Sequence, residues 1–318
     1  MNKIIEFDHV TCEFNGFKAV DDVSFSVEEG KVIGLLGHNG AGKTTIIKLL
    51  TGYLVPTQGQ IIVDGMYVDR DLTGAQSRIG YLPENCPLWP DMSIIEFLLY
   101  QASLKGISKS KLDDHVFHVI QKTHLVDKAM QRIGTLSKGY RQRVGVANAI
   151  LNHPKIIILD EPTNGLDPVQ IMHMRELIHE LAKSSTLIIS THIMQEVQAV
   201  CDHVKIIRTG KMIMDSSLDD IGQVQGLRIT VNQNEKHIQE LFSDMKEVKL
   251  ITLNSTSDNQ YQYLMEIDTK LASTVSQKII EAGYQLFEMT PERRSLESIF
   301  EEDYLTQSNA RGKTKYVA

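Results

Sequence analysis

Val32-Ile-Gly-Leu-Leu-Gly37-His-Asn-Gly-Ala-Gly-Lys43-Thr44-Thr-Ile-Ile-Lys-Leu-Leu50 is the stretch that decides the architecture. Val32 to Leu36 is a short apolar run of strand length. It leads directly into Gly37–Thr44, which matches the pattern G-x-x-x-x-G-K-[ST]. Thr44 to Leu50 then reads as a helix, stopped by Gly52. In this strand–loop–helix order, the backbone N–H groups of Gly37, His38, Asn39, Gly40, Ala41 and Gly42 can curl around phosphate oxygens. The positive end of the helix, which begins near Lys43, points at the same place. Lys43 is suited to β and γ phosphates, the Thr44 hydroxyl to Mg²⁺, and Thr45 completes the phosphate-binding set. The pattern predicts that the chain binds and hydrolyses ATP.

Downstream, strand and helix alternate: IIIL at 156–159, a helix from Pro168 to about Lys183, then LIIS at 187–190. Proline in the first helical position fits that start. Ile171, Met174, Ile178 and Leu181 recur at helical period. The strands are apolar throughout, as in a parallel sheet covered on both faces, so this part reads as α/β. Asp160 and Glu161 follow the first of these strands. Two acids after a strand are ordinarily a solvated turn. Beside a phosphate-binding loop the first can hold Mg²⁺ and the second can deprotonate a water attacking the γ-phosphate.

Upstream, IIEFDHVTCEF, VSFSVEEG and GQIIVDG read as strands separated by turns. A helical stretch over about 90–152 comes next. Ser93 and Glu96 make a capping box for SIIEFLLYQASL, and Ser110 with Asp113 is a weaker copy before VFHVIQ. A further helix should begin near Ser137 and carry Val144, Ala147 and Leu151 on one face. After Asp215 the pattern becomes β-α-β-β-α-β, which predicts a small α+β domain, plausibly ferredoxin-like. The expected boundaries are 1–222 for the large domain, 223–305 for the small one and 306–318 for a loose tail.

Composition narrows the class. Of 318 residues, 42% are hydrophobic and 23% charged, with a net charge of −7. That balance argues against a nucleic-acid partner, for which a basic excess is usual. No apolar run has the length to cross a bilayer, and the N-terminal MNKIIEFDH has no signal-like core. Three scattered cysteines favour a reducing compartment over a disulfide framework or zinc site. The expected location is the cytoplasm, with any membrane attachment made through a protein partner.

Leu136-Ser-Lys-Gly-Tyr-Arg-Gln-Arg143 lies with its serine 23 residues before Asp160. Alone it is a helix N-terminus with a basic first turn. At this spacing, over residues 3–220, the chain resembles the ATP-binding subunit of an ABC (ATP-binding cassette) transporter. The resemblance implies a P-loop NTPase cassette with antiparallel β and helical subdomains. LSKGY stands where the family signature LSGGQ is expected. The resemblance therefore implies that Ser137 and Gly139 touch a nucleotide bound by a second cassette, so that two chains enclose two ATP molecules. It places Phe14 on adenine, Asp167 of NGLD on the dimer interface, and His192 at the γ-phosphate. It also implies a separate transmembrane permease, docked beside the Glu84 loop, where Leu88, Trp89, Pro90 and Met92 are candidates; Trp89 is equally readable as core.

Two departures stand out. Lys138 and Tyr140 replace Gly and Gln of the signature but leave the backbone donors of Ser137 and Gly139 available. Glu84 in GYLPEN replaces a glutamine that meets Mg²⁺ in the family, and it is open whether this carboxylate binds the ion or faces solvent. GYLPEN, LSKGY, LDEPTNGLDP and RRSLESIFEE look most like bacterial export-type subunits, similar to lipid, drug and gliding-motility systems. The competing readings are a non-transport ABC ATPase on a ribosome or nucleic-acid complex, and a small P-loop kinase. The first would ordinarily carry two cassettes or long coiled coils, and the second would lack LSKGY, the NGLD segment and His192.

Overall fold

The structure is a computed structural model and describes residues 2–221, 224–257 and 260–293. The expected boundary at 222/223, the segment SLESIFEE and the tail from 306 lie outside these residues. The chain divides into two compact units, Met1–Leu218 and Asp219–Ala318.

The first unit opens with a long hairpin, β1 (Lys3–Phe14) and β2 (Phe17–Glu28). It is followed by β3 (Val32–Leu36), α1 (Lys43–Leu50), β4 (Gln58–Val63), β5 (Met66–Tyr67), α2 (Leu72–Ser77) and β6 (Ile79–Leu82). Three helices come next: α3 (Ile94–Leu104), α4 (Leu112–Lys122) and α5 (Lys138–Ile150). The unit continues through β7 (Ile156–Asp160), α6 (Pro168–Ala182), β8 (Thr186–Thr191), α7 (Met194–Val200), β9 (His203–Arg208) and β10 (Lys211–Ser217).

Two sheets organise these elements. One is antiparallel in the order β2-β1-β4-β5; the other runs β10-β9-β3-β8-β7-β6, parallel except at the β9–β10 edge. The apolar strands of the second sheet alternate between two cores. Ile156 and Ile158 of β7 pack with the antiparallel sheet and α1, whereas Ile157 and Leu159 pack with α3–α6. Ile188 of β8 divides from Leu187 and Ile189 in the same way. Both faces are thus covered, which is why these strands show no polar alternation.

Local signals fix several helix starts. Ser93 accepts from the Glu96 N–H and the Glu96 carboxylate accepts from the Ser93 N–H at 2.8 Å, a complete capping box for α3. Ser137 caps α5, and Val144, Ala147 and Leu151 are buried as its periodicity requires. The Ser110 expectation fails. Helix α4 starts at Leu112 after an uncapped Lys111, and the Ser110 hydroxyl instead lies 3.3 Å from that of Ser108. Asp113 and Asp114 in the first turn face the positive end of the helix dipole, which takes over part of the cap's role.

A short helix α8 (Leu218–Ile221) precedes the strands and helices of the second unit: β11 (Val224–Val231), α9 (Glu235–Phe242), β12 (Leu250–Ser257), β13 (Gln260–Glu266), α10 (Ala272–Glu281) and β14 (Leu286–Arg293). Its sheet order, β12-β13-β11-β14 with antiparallel neighbours, is that of a split βαβ arrangement. Leu227, Ile229, Tyr263 and Met265 pack against Ile238, Phe242, Val275 and Ile279 of the helices in a core of its own.

Candidate functional site

The parallel register of the central sheet sets the site. Leu36 pairs with Thr191, and Asp160 with Ser190, so β3, β8 and β7 end side by side. The residues that follow these ends are Gly37, His192 and Glu161. Ligand sites of open α/β sheets form at such carboxyl ends.

A cavity of about 540 Å³ opens there, lined by Phe14, Phe17, Ala19, His38, Asn39, Gly40, Gly42, Lys43, Thr44, Thr45, Glu84, Glu161, Asn164 and His192. Gly37 and Ala41, in the same loop, are buried. Gly42 closes the loop with φ 112°, and a Cβ there would meet the Ala19 carbonyl oxygen at 2.7 Å. Glycine is therefore required twice at this residue, for conformation and for space.

Lys43 is 5% exposed, and its ammonium donates to the Gly37 carbonyl at 2.6 Å and the His38 carbonyl at 3.3 Å. It also pairs with Glu161 Oε1 at 3.4 Å. The other oxygen of Glu161 lies 2.9 Å from His192 Nδ1. Glu161 is 7% exposed and its backbone is left-handed, φ 48°, a conformation that costs a glutamate about 1 kcal/mol or more. Its N–H, which donates to the Ser190 carbonyl and hydroxyl, fixes that conformation.

Asp160 does not line the cavity. It is 1% exposed, and Ser190 Oγ donates to its carboxylate. Burial holds its carboxyl above the usual aspartate range, and the charges of Glu84 and Glu161 push the same way, against the Ser190 hydroxyl and Lys43. Glu84 is exposed and accepts a bond from Asn164 Nδ2 at 3.3 Å.

Ser137, Gly139 and Asp167 form a second group, outside this cavity. Asp167 caps α6 by accepting from the Gln170 N–H at 2.9 Å. The Gln170 side chain lies against Gly139 so closely that a Cβ there would collide with it, and the Lys138 ammonium rests against Gly165. The start of α5 is thereby joined to the start of α6.

Leu88 and Pro90 line another cavity of about 500 Å³ with Glu84, Ile133, Lys138 and Arg141. Met92 packs on the helical core instead. Trp89 is not core: it is 46% exposed, with its ring 4.9 Å from that of Tyr100.

Sequence reasoning missed Phe17, Ala19 and Ser190. The first two become visible once the hairpin register is known, and the third once Asp160 is paired with β8. Among the described residues no cluster of three or more acidic, His or Cys side chains could hold a metal by itself, and no helix is long and apolar enough to cross a membrane.

A central parallel sheet with a glycine loop, buried lysine and paired acids at its carboxyl edge defines a P-loop nucleotide-binding protein. Comparison with known proteins narrows the class. The family model for ABC transporters matches residues 20–164. The bacitracin transport ATP-binding protein BcrA of Bacillus licheniformis is 33% identical over 308 residues, which cover 94% of this chain and 97% of that protein. The ABC transporter ATP-binding protein NatA of Bacillus subtilis is 38% identical over 206 residues, 64% of this chain and 84% of the other. A solved ATP-binding subunit of an ABC transporter aligns with a TM-score of 0.62 at 29% identity, covering 69% of this chain and 91% of its own. The chain belongs to the ATP-binding subunits of ABC transporters, the chains that energise transport. The readings as a ribosome- or nucleic-acid-acting ATPase and as a small kinase are set aside by these relatives. ATP hydrolysis is characteristic of the family.

Proposed function

We propose that this chain hydrolyses ATP within a dimer of cassettes and drives a separate membrane permease that exports its substrate. The observation that carries the reading is the contact of Glu161 with both Lys43 and His192 at the wall of the loop cavity. A buried base, a phosphate-directed cation and a histidine there form a constellation for γ-phosphate hydrolysis.

In this reading the N–H groups of Gly37–Gly42 and the Lys43 ammonium bind the phosphates, and Phe14 stacks on adenine. Glu161 accepts the proton of the attacking water, and His192 steadies the γ-phosphate. Mg²⁺ fits the donor set: Thr44, Asp160 and Glu84 offer only oxygen, Asp160 is a buried carboxylate whose charge lacks a full counter-ion, and such an ion usually takes one or two carboxylates plus substrate phosphates. When bound, Mg²⁺ neutralises charge on the phosphate oxygens.

Ser137, Gly139 and Asp167 would complete the pocket of a second copy. The separation of these residues from the cavity supports that assignment, because none of them lines the pocket of its own chain. The cavity at Glu84, Leu88, Pro90 and Arg141 is the proposed seat of the permease, which would place the chain on the cytoplasmic face of the membrane. Support for export comes from GYLPEN and LSKGY and from the likeness to a bacitracin transport protein.

Glu161→Gln tests the catalytic reading. It should keep ATP affinity, lose turnover at least about a hundredfold, and accumulate as an ATP-bound dimer. Turnover near wild type would remove Glu161 from the base role. Recovery of the native protein from membranes with a multi-span partner tests the transport role; recovery from the soluble fraction alone would contradict it.

A further inference from the structure

The β1–β2 hairpin turns through Asn15 and Gly16, and Phe14 stands directly opposite Phe17. Residues opposite each other in an antiparallel pair project to the same face, and Ala19 lies where the register shifts between the pairs Glu13–Lys18 and Cys12–Val20. All three line the loop cavity. Phe14 is 45% exposed and Phe17 66% exposed, and neither ring belongs to a core cluster. Their apolar surface thus contributes little to folding. Two neighbouring exposed rings at the mouth of a cavity mark a surface kept for a ligand.

We propose that Phe17 is a second base-stacking residue, forming with Phe14 a two-ring platform for the purine of the bound nucleotide. This rests on the reading of the cavity as an ATP site. The hairpin contributes Phe14, Phe17 and Ala19 to the cavity and no polar side chain. The polar lining belongs to the glycine loop, to α1 and to the segments after β6, β7 and β8, on the phosphate side of the site. A platform of rings holds any base by its π face and reads none of its edge groups. The hairpin therefore selects by ring area: adenine and guanine nucleotides bind alike, and pyrimidine nucleotides bind less tightly.

The test is equilibrium binding of ATP, GTP, CTP and inorganic tripolyphosphate to the full chain, as wild type, Phe17→Ala and Phe17→Trp. Phe17 is exposed, so these variants should fold as the parent does. Phe17→Ala should weaken ATP and GTP at least about fivefold and leave tripolyphosphate unchanged; Phe17→Trp should restore both nucleotides. Unchanged ATP affinity in Phe17→Ala would overturn the proposal. An equal loss for tripolyphosphate would do so too, since the residue would then be shaping the loop rather than holding the base. If wild type binds tripolyphosphate as tightly as ATP, the platform falls while the phosphate loop stands. If it binds neither, the nucleotide reading falls and takes the platform with it.

Discussion

Asp160, a proposed Mg²⁺ ligand, illustrates how a site residue can oppose the stability of the fold that holds it. It is 1% exposed, and its carboxyl is held above the ordinary range, first by burial. A carboxyl whose pKa is higher in the folded state binds its proton more tightly there. That contribution to stability is present at low pH and is lost as the pH rises through the raised value. At neutral pH the ionised group therefore costs stability. Asp160→Asn should raise the melting temperature by a few degrees while abolishing Mg²⁺-dependent turnover, and the gain should shrink as the pH falls toward the raised pKa. Thermal melts across pH would show this, and a lower melting temperature for the variant at neutral pH would contradict it. The acids at 160 and 161 were legible in the sequence because they sit beside a loop with a strong local pattern. Ser190, which donates to Asp160, was not, because its place depends on pairing between β7 and β8, strands whose order no local pattern states.

At the scale of elements, Ser93 and Ser110 make an instructive pair. Ser93 has both halves of its capping box, whereas Ser110 with the same spacing to an acid caps nothing. The motif is local, but the residue at which a helix begins is set by packing, and α4 starts two residues after Ser110. Ser93→Ala should destabilise the cassette unit by about 1 kcal/mol, with ATP affinity unchanged because α3 contributes nothing to the loop cavity. Ser110→Ala should leave the unfolding transition where it is. Comparative denaturation of the two variants is the check, and equal losses would contradict the role of the Ser93 cap. The strand-to-helix alternation was readable because each strand is apolar on both faces. The Phe14–Phe17 pairing was not, since nothing in the chain announces which residues a hairpin sets opposite one another.

For the whole molecule, the proposed site is distributed between chains. The loop cavity holds the phosphate-directed residues, while Ser137, Gly139 and Asp167 face elsewhere. Turnover per chain should therefore rise with protein concentration and level off as dimers form, whereas ATP binding to the single chain should not depend on concentration. Turnover measured over a dilution series decides this; a constant rate per chain would mean that one chain suffices. The second unit, with its own sheet and core, carried a readable element order, and no catalytic cluster stands out in its sequence.

The tie between Gly139 and Gln170 keeps the second group of residues together, apart from the loop, and this has a consequence for inheritance. In the proposed cassette pair, damage at Lys43 would disable the pocket of the chain that carries it, whereas damage at Ser137 would disable its neighbour's. Two faulty alleles of these kinds, expressed together, should concentrate both defects in one pocket of each mixed pair and leave the other whole. Neither allele alone permits that. Complementation between alleles is thus what the proposed pair predicts from where the backbone sends each residue.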